Sequence, residues 1–125
     1  MNEIKLQITN WLRRTPSVRG VLVRGIRFAD QTFVCDFDSP DFSAGALEQA
    51  WRSVADTFQV LAAQRLAATR LTWVYERSVL HCARRHDGSV LGVFVARKQA
   101  ETNSEGIDQL LSEFMSLEVV SRSSI

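Results

Sequence analysis

The run Val90-Leu91-Gly92-Val93-Phe94-Val95 constrains the chain most, because six consecutive apolar residues leave no polar face to turn toward water. It follows His86-Asp87-Gly88, where Asp-Gly tolerates the positive φ that a tight hairpin turn needs. Such a strand belongs inside a sheet, covered on both faces. Helices must supply that cover, and three segments have the spacing to do so.

In residues 2–14, Ile4, Ile8, Trp11 and Leu12 fall on one stripe, with Glu3, Lys5, Gln7, Arg13 and Arg14 mainly off it. Pro16 stops this helix by pushing the residue before it out of the α region. The longest helix is expected over 43–67, entered through Asp41 or Ser43 as N-cap, with Leu47, Trp51, Val54, Phe58 and Leu61 as its core stripe. Its opposite face carries Gln49, Arg52 and Asp56 early, then the small or apolar Val60, Ala63 and Ala67. A last helix, capped by Thr102, Asn103 or Ser104, has the stripe Ile107, Leu110, Leu111, Phe114 and Met115.

Strands fill the intervals. Val21 to Phe28 is β-rich, Ala29-Asp30-Gln31 turns, and Phe33, Cys35 and Phe37 alternate with Val34, Asp36 and Asp38. Leu71, Trp73 and Tyr75 alternate with Thr72, Val74 and Glu76; Arg77-Ser78 turns; Val79 to Arg84 returns. The order is α-β-β-α-β-β-β-α within one domain over 1–117, with 118–125 expected to fray. At 125 residues the chain is long enough for a single core.

Several classes of chemistry lack their residues. Fifteen basic against fourteen acidic side chains give no electrostatic reason to expect nucleic acid. Thirteen of the basic residues are Arg, which suits interfaces but equally reflects base composition. Cys35 and Cys82 are too few for a secreted disulfide framework, the amino terminus has no apolar signal core, and no run is long enough to enter a membrane as a span. A soluble cytoplasmic protein is the expectation. His81 and Cys82 are strand neighbours whose side chains diverge, which argues against a thiolate–imidazole pair. The histidines and cysteines have no close metal-ligand spacing. Asp36, Asp38 and Asp41 fail as a calcium loop, since Asp41 stands where glycine is needed and Leu47 where glutamate is needed. Neither a GxxxxGK[ST] nor a GxGxxG loop occurs. Arg13-Arg14 and Arg84-Arg85 read as solvated ends of elements. No catalytic residue, cofactor or metal is therefore expected. Trp11 and Trp51 read as core; Trp73 reads equally as core or as an interface anchor.

The element order, with the Ser43–Leu66 helix and the Val90–Ala96 strand, resembles the roadblock/dynein light chain family over about residues 2–117. The resemblance implies an α+β fold: a five-stranded antiparallel sheet in spatial order 2-1-5-4-3. The middle helix lies on one face and the two terminal helices on the other. The family often has a glycine in the first hairpin turn, where this chain has Ala29-Asp30-Gln31. In that fold Leu71–Tyr75 becomes an edge, and it carries no Pro, Gly or charge to protect it. The resemblance implies a homodimer in which this strand pairs with its twin beside antiparallel middle helices. The expected interface is Val60, Ala63, Ala67, Leu71, Thr72, Trp73, Val74 and Tyr75. It also implies a non-enzymatic scaffold or regulator partnering a small Ras-like GTPase or serving as a dynein-associated adaptor. A ligand-sensing module of the same architecture is the competing reading, with His81 as the one inward polar group, and an enzyme built on Cys82 the third.

Overall fold

The computed structural model describes residues 3–16, 18–35, 42–66, 68–97 and 104–118. The elements are α1 (Glu3–Arg14), β1 (Val21–Arg27), β2 (Phe33–Cys35), α2 (Ala44–Ala63), β3 (Arg70–Val74), β4 (Ser78–Arg84), β5 (Val90–Ala96) and α3 (Ser104–Ser116). The strands form one antiparallel sheet in the order β2-β1-β5-β4-β3, as expected. Val90 through Val95 are all buried at its centre.

Alternation along the strands sorts the core into two layers. Ile26, Leu91, Val93 and Val95 pack with Ile8, Trp11 and Leu12 of α1 and Ile107, Leu110, Leu111 and Phe114 of α3. On the other face Val23, Leu80, Cys82, Val90 and Phe94 meet Leu47, Trp51, Val54 and Phe58 of α2. Leu61, the last residue of the expected stripe, is only half-buried.

Trp51 fixes how α2 sits. Gly25 of β1 and Gly92 of β5 face each other in register; the indole of Trp51 lies over Gly92, and the Phe33 ring lies over Gly25. Its indole N–H donates to the Gly25 carbonyl at 3.0 Å. A Cβ added at Gly92 would come within 2.5 Å of the indole, and one at Gly25 within 2.8 Å of the Phe33 ring. Each glycine thus leaves room for one ring, Gly92 for Trp51 and Gly25 for Phe33.

One of the two expected N-caps of α2 is met, and two boundaries differ from expectation, each with a local cause. Ser43 is the N-cap, its hydroxyl accepting from the Ala46 N–H at 3.1 Å; Asp41 lies outside the described residues. The helix stops at Ala63, not 67, because Arg65 turns left-handed at φ 61°. Arg65 and Leu66 N–H groups then donate to the Ala62 and Leu61 carbonyls at 3.0 and 2.8 Å, the Schellman closure usually built on glycine. β3 ends at Val74, so the following turn is Glu76-Arg77, closed by the Tyr75 N–H on the Ser78 carbonyl at 2.8 Å. Phe37, Asp36 and Asp38 lie outside the described residues.

The β1–β2 and β4–β5 hairpins share one design. Gln31 N–H donates to Phe28 O at 2.9 Å and Gly88 N–H to Arg85 O at 3.0 Å, after which Gln31 (φ 74°) and Gly88 (φ 91°) take the left-handed position. Gln31 therefore occupies the place of the glycine that the resemblance led one to expect.

Gly92→Ala should destabilise the fold by about 1–3 kcal/mol through overpacking against Trp51, read by urea denaturation. Gln31→Gly and Arg65→Gly should each raise stability by up to about 1 kcal/mol in the same measurement, left-handed strain being relieved against the greater unfolded freedom of glycine.

Candidate functional site

β3 is the last strand of the sheet on its side, and its two faces are unequally covered. Leu71 and Trp73 are half-buried against the α2 layer, while Thr72 and Val74 are exposed on the other face. Trp73 thus contributes to the core from the rim of the sheet. Tyr75, just past the strand, is exposed, its ring 6.0 Å from that of Phe94. Phe33 of β2, Trp51, Phe94 and Tyr75 are linked by ring contacts, an aromatic row from the opposite end of the sheet to this edge.

The backbone of β3 is half satisfied. The Tyr75 N–H bonds to Ser78 O and the Arg84 N–H to Thr69 O, which fixes the phase of the ladder. By antiparallel alternation, Leu71 and Trp73 exchange bonds with β4, and the N–H and C=O groups of Arg70, Thr72 and Val74 point to the open edge. At the other end of the sheet, β2 is described over Phe33–Cys35.

Among the described residues, the large apolar side chains left exposed are Leu6, Val60, Leu66, Val74 and Tyr75. Four of these five fall between the late turns of α2 and the end of β3, with Val60 at 56%, Leu66 at 62% and Val74 at 65% exposure. Ala63 is exposed as well, whereas Ala67 lies outside the described residues. Leu66 was not among the residues singled out from sequence, because it was read as part of a helix that in fact ends three residues earlier.

Cys82 is buried in the α2 layer, and burial pushes its thiol far above the ordinary range. His81, on the opposite face, stands between Thr72 of β3 and Val93 of β5. Among the described residues no three His, Cys, Asp or Glu side chains gather as metal ligands, and no helix is long and apolar enough to cross a membrane. Arg13 and Arg14 are exposed. Arg85 is not the solvated residue expected: it is 2% exposed and donates to the Phe114 and Leu117 carbonyls at 2.6 and 2.8 Å. Its Nε holds Asp87 at 3.0 Å. Burial alone would raise the Asp87 carboxyl, but Ser89 and the Arg85 guanidinium outweigh it and hold the group below the usual carboxylate range. Arg24 is likewise buried and donates to the carbonyls of Leu12, Thr15 and Pro16. Sequence reasoning missed both roles, although an arginine inside the β-rich run Val21–Phe28 signals a buried cation needing acceptors.

Comparison with solved structures aligns 90% of this chain with 94% of a Roadblock/LC7 domain from Streptomyces avermitilis, at a TM-score of 0.54 and 13% sequence identity. The fold is that of a roadblock/LC7 domain. No family model matches the sequence, and no curated protein matches it. Strand order and helix placement thus carry the likeness.

Burial makes Cys82 a poor nucleophile, so a thiol reagent at neutral pH should leave it unmodified in the native protein and label it only on unfolding, as read by mass spectrometry.

Proposed function

We propose that this protein is a non-enzymatic scaffold or regulator that acts through protein–protein contact as a homodimer joined along β3. The observation that carries the reading is the β3 edge itself. Its outward backbone groups are free of side-chain charge from Leu71 to Tyr75, and it lies next in sequence to the exposed apolar end of α2. Pairing of β3 with its twin satisfies those backbone groups and extends the sheet across a two-fold axis. Thr72 and Val74 meet their counterparts on one face. On the other face Val60 and Ala63 cover Leu71, Trp73 and Tyr75 of the second copy.

The finer part of the proposal is a small Ras-like GTPase docked on the composite helix–sheet surface of the dimer. Its support is the resemblance in element order and fold, an argument by analogy. Titration of a co-expressed Ras-like GTPase, in its GDP and GTP-analogue forms, against the dimer tests it; equal absence of binding in both forms removes it.

Val74→Lys should convert the dimer to a monomer in sedimentation velocity at micromolar concentration. Because Val74 is 65% exposed, the monomer should keep its fold and melt cooperatively, its melting temperature falling only by what the lost dimer contact contributed. An unchanged mass removes the proposed edge.

A further inference from the structure

His81 sits where the proposed interface is anchored to the rest of the fold. It lies on β4, paired with Thr72 of the edge strand on one side and Val93 of β5 on the other. Its Nε2 is buried and, among the described residues, has no hydrogen-bond partner. The charged groups acting on it are Arg70 of β3 and Asp108 of α3, and these bind each other at 2.6 Å. That ion pair links the edge strand to the last helix directly over the His81 strand. Thr72 and Val93, its neighbours within the sheet, carry no charge to offer.

We infer that His81 is an acid-sensitive latch on the corner formed by β3, β4 and α3, so that acidification loosens the edge strand and with it the homodimer. A neutral ring fits this position. A protonated one needs an acceptor for its new N–H, and the nearest carboxylate is already held by Arg70, whose own charge repels the imidazolium. Taking Asp108 from Arg70 breaks the tie between α3 and β3; swinging the ring outward opens the same corner. Burial, with help from Arg70, outweighs Asp108 and lowers the pKa of His81 from its ordinary value. A base whose folded pKa is lowered contributes stability that is full above the unfolded value. That stability is lost as pH falls through the histidine range toward the folded value.

The effect on dimerisation rests on the reading above, whereas the effect on the corner does not, and the experiment separates them. Melting temperature and sedimentation are measured between about pH 7.5 and 5 for the wild type, His81→Gln and His81→Leu, the second variant guarding against misfolding of the first. The expected result is a melting temperature that falls by a few degrees more in the wild type than in either variant. The wild-type dimer fraction should fall with it while that of the variants holds. The ring proton signal of His81, followed by NMR, should titrate below the ordinary histidine value. Equal losses in wild type and variants, or titration of His81 at or above the ordinary histidine value, overturn the latch. A wild type that is monomeric at pH 7.5 overturns the dimer reading instead, and the melting and NMR comparison still decides the latch.

Discussion

Two buried guanidinium groups hold the terminal helices to the sheet. Each terminal helix ends with carbonyls that have no partner within the helix and that carry the negative end of its dipole. Arg24, rising from the middle of β1, takes the carbonyls at the end of α1. Arg85, at the end of β4, takes those at the end of α3, with Asp87 steadying it and the Phe114 ring 5.6 Å away. A buried cation without acceptors is strongly destabilising, and exposed apolar faces on α1 and α3 would leave Leu91, Val93 and Val95 uncovered. Helix docking and charge burial therefore depend on each other: neither arginine is tolerable without its helix.

The opposite layer is organised by shape. Trp51 fits because Gly92 of β5 leaves room for its indole and the Gly25 carbonyl of β1 accepts its N–H. From there the aromatic row through Phe94 reaches Tyr75, so the rim at β3 is continuous with the best-packed part of the core. An edge supported in this way has its side chains backed by core aromatics, which suits the proposed pairing with a second β3 in one register.

Much of this was legible in the residues. The apolar run Val90–Val95 demanded a central, doubly covered strand, and the helix stripes and turn residues placed the remaining elements in an order that matches the observed topology. What escaped reading was chemistry that depends on partners distant in sequence. Only the fold sets the end of α1 against Arg24, and Arg85 read as a solvated end. Gly25 and Gly92 are separated by 67 positions, and only the sheet register brings them side by side. The left-handed residues Gln31 and Arg65 escaped because neither is glycine, so the end of α2 and the exposure of Leu66 could not be placed. Of the interface residues named from sequence, the alternation of β3 divides the set: Thr72 and Val74 on one face, Leu71 and Trp73 on the other.

The central position of β5 bears on how the molecule comes together during synthesis. β1 is made early, yet one of its two neighbours in the sheet is the last strand, with Val21 paired to Val95. Until β5 leaves the ribosome, α1, β1, β2 and α2 hold only a two-stranded fragment, Trp51 lacks Gly92 beneath its indole, and α1 lacks most of its platform. Non-local pairing of this kind slows folding and keeps apolar surface open for longer. The nascent amino-terminal half is thus the stage most in need of a chaperone, and β5 is the strand whose arrival completes the sheet.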